Sequence, residues 1–101
     1  MSEVLVKFDE PIPRADGARY FAQAMARERT DKLWEGWLEF SPVDESAEDE
    51  WIPSGRETTQ PNRDAVMYWA QGLSRVYLMG ALERAVSPTA AIEREREGFY
   101  I

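Results

Sequence analysis

The stretch "RETTQPNRDA", Arg56 to Ala65, gathers Arg56, Glu57, Thr58, Thr59, Gln60 and Arg63 just before a segment with helical spacing. Two guanidinium forks, two hydroxyls and the free N–H groups of a helix start suit a carboxylate or phosphate, because charged donors are backed there by the positive end of the peptide dipoles. These six residues are the candidate site for a small anion or other small ligand. Arg56, Glu57 and Arg63 are the groups an enzyme would use. A local reading competes: Asn62 is a natural N-cap, Pro61 keeps the incoming chain extended, and Asp64 complements the dipole in the first turn. A Glu57–Arg63 pair and the two threonines would then order a polar loop. The stretch also lacks the glycine spacing of a phosphate-binding fingerprint.

Other chemistry is bounded by what is missing. The chain has no cysteine and no histidine. That excludes disulfides, thiolate nucleophiles, cysteine-held zinc or iron–sulfur, histidine triads and histidine metal centres. Asp44, Glu45, Glu48, Asp49 and Glu50 offer carboxylate oxygens of the kind calcium takes, but their spacing is not that of an EF-hand loop and no glycine marks its turn. A solvated charged loop is the preferred reading. Glu35 and Glu39 form a carboxylate pair with nothing to make one an acid and the other a base. No catalytic residue, metal ligand or cofactor follows from the sequence.

These groups need elements to hold them. Val4, Val6 and Phe8 alternate with Leu5, Lys7 and Asp9 up to Pro11 and Pro13, which reads as a first strand. In "LWEGWLEF", Trp34, Gly36, Leu38 and Phe40 share one face while Leu33, Glu35, Trp37 and Glu39 share the other. Trp34 is therefore assigned to the core, and Trp37 is the exposed candidate for contact with a partner or with the helix layer. Residues 18–29, "ARYFAQAMARER", fit either a helix capped by Asp16 or a strand turned into the next by Thr30-Asp31-Lys32. The hairpin is preferred, with small alanines set against Trp34 and Trp37. Trp51 and Ile52 suggest a short strand, and Pro53 puts it at a sheet edge.

Beyond Asn62 the period becomes helical. Val66, Trp69, Ala70 and Leu73 form one stripe, and Leu78, Ala81, Leu82 and Ala85 form another out of phase with it. Gly72 and Ser74 divide them into two helices at a tight corner, or bend one helix sharply there. Ser87, Pro88 and Gly98 signal a third, short helix. Its tail, Phe99, Tyr100 and Ile101, must dock on the core or on a second chain to stay ordered, so these three join Trp37 as candidate interface residues.

At 101 residues the expectation is one α+β domain spanning 1–101, with an antiparallel sheet of three or four strands packed on one face by C-terminal helices. Mobility is expected in the acidic loop 41–50 and in the tail 89–101. Nineteen acidic against twelve basic residues give a net charge of −7, which repels nucleic acid and anionic membranes. The start, "MSEVLVKFDE", shows no basic segment followed by an apolar run, and no apolar stretch nears the roughly 20 residues of a membrane span. A cytoplasmic location is expected. The preferred function is a non-enzymatic protein–protein interaction module that self-associates, without cofactor. The small-ligand site is the alternative, and an acidic nucleic-acid mimic is the third reading.

Overall fold

Ala22, Ala24 and Ala26 have strong helix propensity and nonetheless lie in a β-strand, because their small size suits the face they line. The computed structural model describes residues 1–44 and 51–87. Within them β1 (Glu3–Pro13), β2 (Arg19–Glu28), β3 (Trp34–Pro42) and β4 (Ile52–Gln60) pair antiparallel in chain order. The helices α1 (Arg63–Gln71) and α2 (Arg75–Val86) follow and pack on one face. The α+β class is as the sequence implies, with four strands.

The hairpin reading of residues 18–29 holds. β2 pairs with β3 along its whole length, from Tyr20 opposite Pro42 to Glu28 opposite Trp34. The turn is closed by the Arg29 N–H donating to the Leu33 carbonyl at 2.7 Å and the Leu33 N–H donating to Asp31 Oδ1 at 3.1 Å. The alanines do not face the tryptophans, however. Ala22 lies opposite Phe40, Ala24 opposite Leu38 and Ala26 opposite Gly36. Ala22 and Ala24 thus face large residues on β3, while Ala26 faces the equally small Gly36.

β1 ends at its prolines as expected, running to Pro13 with a register shift between Phe8 and Ile12. As an edge strand it tolerates the missing N–H donors. β4 is nine residues long, so "RETTQ" is the second half of an edge strand where a loop was expected. Its pairing with β3 is irregular: Gly55 adopts φ 81°, and the Ser54 hydroxyl accepts the Leu38 N–H at 3.1 Å in place of a ladder carbonyl. The left-handed conformation at Gly55 is one that glycine takes without strain.

Both helix starts follow their caps. Asn62 Oδ1 accepts from the Ala65 N–H at 2.8 Å, and Ser74 Oγ accepts from the Tyr77 N–H at 3.1 Å. Gly72 caps α1, so the corner falls where the phase of the apolar stripe slips. Val66 and Ala70 from α1 and Leu78, Ala81, Leu82 and Ala85 from α2 are buried. The α2 residues and Ala70 meet Ile12, Ala22, Ala24, Leu38 and Phe40 in one core. Trp34 is not part of it: it sits half-buried at the first position of β3. The predicted third helix, with Phe99, Tyr100 and Ile101, lies outside the described residues.

α2 is tied to both edges of the sheet. On the β1 side Arg75 donates to Glu10 at 3.1 Å and to the Pro11 carbonyl at 3.0 Å, and Arg14 pairs with Glu83 at 3.4 Å. On the β4 side it holds Glu57. Gly80 sits mid-helix, exposed, where an added Cβ would meet only an Arg84 side-chain nitrogen at 3.7 Å. Gly80→Ala is therefore expected to raise stability by about 1 kcal/mol through helix propensity, read from the urea midpoint.

Candidate functional site

The six residues of the polar stretch are dealt out to different places by the pleat of β4. Arg56 lies opposite Trp37 and points to the face away from the helices; its side chain has no partner among the described residues. Thr59, opposite Glu35, shares that face. Glu57 falls in the irregular part of the strand and points to the helix side. There the Tyr77 hydroxyl donates to its carboxylate and Arg84 Nη2 donates at 2.8 Å. Thr58 is also on the helix side, with its methyl against Gly36, and its hydroxyl accepts from Gln60 Nε2 at 2.7 Å. Arg63 makes a two-pronged contact with Glu3 of β1, at 2.8 and 2.9 Å. The structure brings Gln60 to Thr58 but does not gather the six residues around one point. The Glu57–Arg63 pair considered from sequence is replaced by Glu57–Arg84 and Arg63–Glu3.

Two titration consequences follow. The hydrogen bond from Arg63 holds the Glu3 carboxyl below its ordinary range. Its contribution to stability is thus present above the unfolded-state pKa and lost as pH falls through the lowered value. Arg63→Ala is expected to return Glu3 toward the usual carboxylate range in a carbon-detected NMR titration. The accompanying loss of stability should be small, as for an exposed pair screened by solvent. Burial, then the hydrogen bond to Glu57, raises the Tyr77 hydroxyl above its ordinary value. Stability is accordingly full below the unfolded-state value, near pH 10, and declines as pH rises toward the raised one. Tyr77→Phe should remove that alkaline decline in urea unfolding across pH 8 to 11.

The other candidate chemistry is quickly placed. Among the described residues no group of three or more acidic side chains is arranged to hold a metal. Glu45, Glu48, Asp49 and Glu50 lie outside them. Glu35 and Glu39 are both engaged, Glu35 by Arg27 and Glu39 by Trp37 Nε1 at 3.0 Å and Gln23 Nε2 at 3.2 Å. No helix among the described residues is long and apolar enough to cross a membrane. No family model, curated protein or solved structure matches the chain.

What remains is the sheet face opposite the helices, on which no described element packs. One row crosses all four strands there: Val4, Met25, Trp37 and Arg56. Trp37 lies beside Met25 with Arg27 over its ring, 5.9 Å from the centroid. On either side of this apolar row run polar pairs, Arg27 with Glu35 and Gln23 with Glu39. Phe21, at 41% exposure, and Val4, at 42%, are the open apolar groups of the face. Sequence alternation put Trp37 here. The strand reading of residues 18–29 also puts Phe21 and Met25 on one face, but that this is the face of Trp37 follows only from the register with β3.

Proposed function

We propose that the protein is a non-enzymatic interaction module that self-associates through the open face of its sheet. The single observation that carries this reading is the row Val4–Met25–Trp37–Arg56, on a face that no described element covers, where Met25 is buried among its neighbours while Val4 and Phe21 stay exposed. Sheets bury one face against helices and ordinarily present a polar second face to water. Here the second face instead carries a tryptophan, a methionine, a phenylalanine and a valine, with satisfied polar groups around them, as in the core and rim of a protein interface. The chemistry weighed against it lacks a gathered set of groups: Glu57 and Arg63, the strongest of the polar stretch, each serve to fasten helix to sheet.

The test is the mass of the purified protein against concentration, by light scattering. The expected result is a rise from the monomer toward twice its mass between about 1 and 500 μM, the range of a modest interface. Trp37→Ala should shift the rise to higher concentration while leaving the far-UV spectrum unchanged. A wild type that stays monomeric throughout would overturn the reading.

A further inference from the structure

Resting on that reading, we infer that what the open sheet face takes from a second copy is an acidic surface, received head to tail by Lys7, Arg19 and Arg56 around the exposed Phe21 and Val4. The observation is the way ion pairing divides the basic residues. Arg14, Arg63, Arg75 and Arg84, which fasten the helices to the sheet, each hold a carboxylate. Lys7, Arg19 and Arg56 hold none among the described residues, and all three are exposed. The register sets them on the face away from the helices: Lys7 lies opposite Gln23, Arg56 opposite Trp37, and Arg19 opposite Pro13, two places before Phe21 on β2. The acids that share this face are already answered, Glu35 by Arg27 and Glu39 by Trp37 and Gln23. Asp9 follows in the stretch of β1 that the register shift takes out of the ladder.

The chain as a whole carries a net charge of −7, so its other surfaces together are more acidic still, and a second copy supplies the carboxylates that the three cations lack. Two open faces do not suit each other, because cation would meet cation. The contact therefore joins unlike surfaces. Strand spacing and rise put the three cations about 14 to 22 Å apart, too wide for one small anion and within the footprint of a protein contact. Phe21 and Val4 supply apolar contact between the charges. Only groups that the single chain leaves open are used, and Gln23, Met25 and Glu35 stay buried beneath them. A polyphosphate chain is the poorer match, since the net charge repels it at long range.

The experiment follows mass against concentration by light scattering in low salt and in about 0.3 M sodium chloride, where the Debye length is short. Wild-type association should weaken about tenfold or more on adding salt, because the attraction is between opposite charges. A purely apolar contact between two acidic molecules would strengthen instead. Lys7→Glu, Arg19→Glu and Arg56→Glu should each weaken association in low salt more than Lys32→Glu does. Lys32, an exposed cation in the β2–β3 turn, gives the same change of net charge away from the face. None of the three replaced side chains is paired in the fold, so urea midpoints should stay near that of the wild type. A contact between unlike surfaces does not close at two copies, so mass should continue past twice that of the monomer above about 500 μM. The outcomes separate the two levels. Association that salt leaves unchanged or strengthens, variants no weaker than Lys32→Glu, or a mass that levels at two copies overturns this docking while self-association stands. Binding of a short single-stranded DNA that the three variants weaken would assign the face to polyphosphate and overturns it as well. A wild type that is monomeric in both salts overturns both.

Discussion

Gly36→Val is expected to lower the unfolding free energy by about 3 kcal/mol, at the upper end of overpacking costs. Gly36 stands in a row with Glu3, Ala26 and Thr58 beneath α1. A Cβ there would come within 2.7 Å of Trp69 Cζ3, 3.0 Å of Val66 Cγ2 and 3.1 Å of Thr58 Cγ2. None of the three is a free side-chain end: Val66 is fully buried, and Trp69 is packed against the core. Room could be made only by lifting α1 from the sheet, which would also strain the Arg63–Glu3 contact at its start. Urea unfolding of Gly36→Ala and Gly36→Val should show a graded loss, with the alanine variant partly compensated by a less flexible unfolded chain. Trp69→Leu combined with Gly36→Ala should recover part of it. Losses that simply add would show that the Trp69 ring is not what the new methyl meets.

The same glycine shows where the sequence could be read and where it could not. Alternation over Trp34 to Phe40 placed Gly36 on the core face, and capping chemistry placed the starts of α1 and α2 at Asn62 and Ser74. Both are local signals whose physical cause lies within a few residues. The close approach of Trp69 was out of reach, since it depends on how α1 is set over a row of residues far apart in the chain. The polar stretch was misread as a loop for a related reason. Arg56, Glu57, Thr58, Thr59 and Gln60 lack the apolar alternation of a half-buried strand because β4 is an edge, and an irregular one, with Glu57 turned inward to α2. The pleat that scatters these side chains also prevents them from forming the cluster that their adjacency in sequence suggested.

Phe40→Ala is expected to be the most damaging single substitution, costing about 3 to 5 kcal/mol. Phe40 is the largest of the fully buried side chains, and it faces Ala22 across the β2–β3 ladder. Truncating it leaves a space that its alanine neighbour cannot fill, while the ladder fixes the backbone on both sides. Trp34 serves as the comparison. Side-chain volume alone would rank Trp34→Ala as severe, but this residue is only half-buried and lies outside the core cluster, so water can reach part of what the ring leaves. Its loss should be clearly smaller, about 1 to 2 kcal/mol, in proportion to the apolar surface still covered. Urea unfolding of both variants at one pH decides the order, and equal losses would mean that Trp34 belongs to the core. An unchanged urea m-value in each would show that the difference lies in packing and not in the compactness of the unfolded chain.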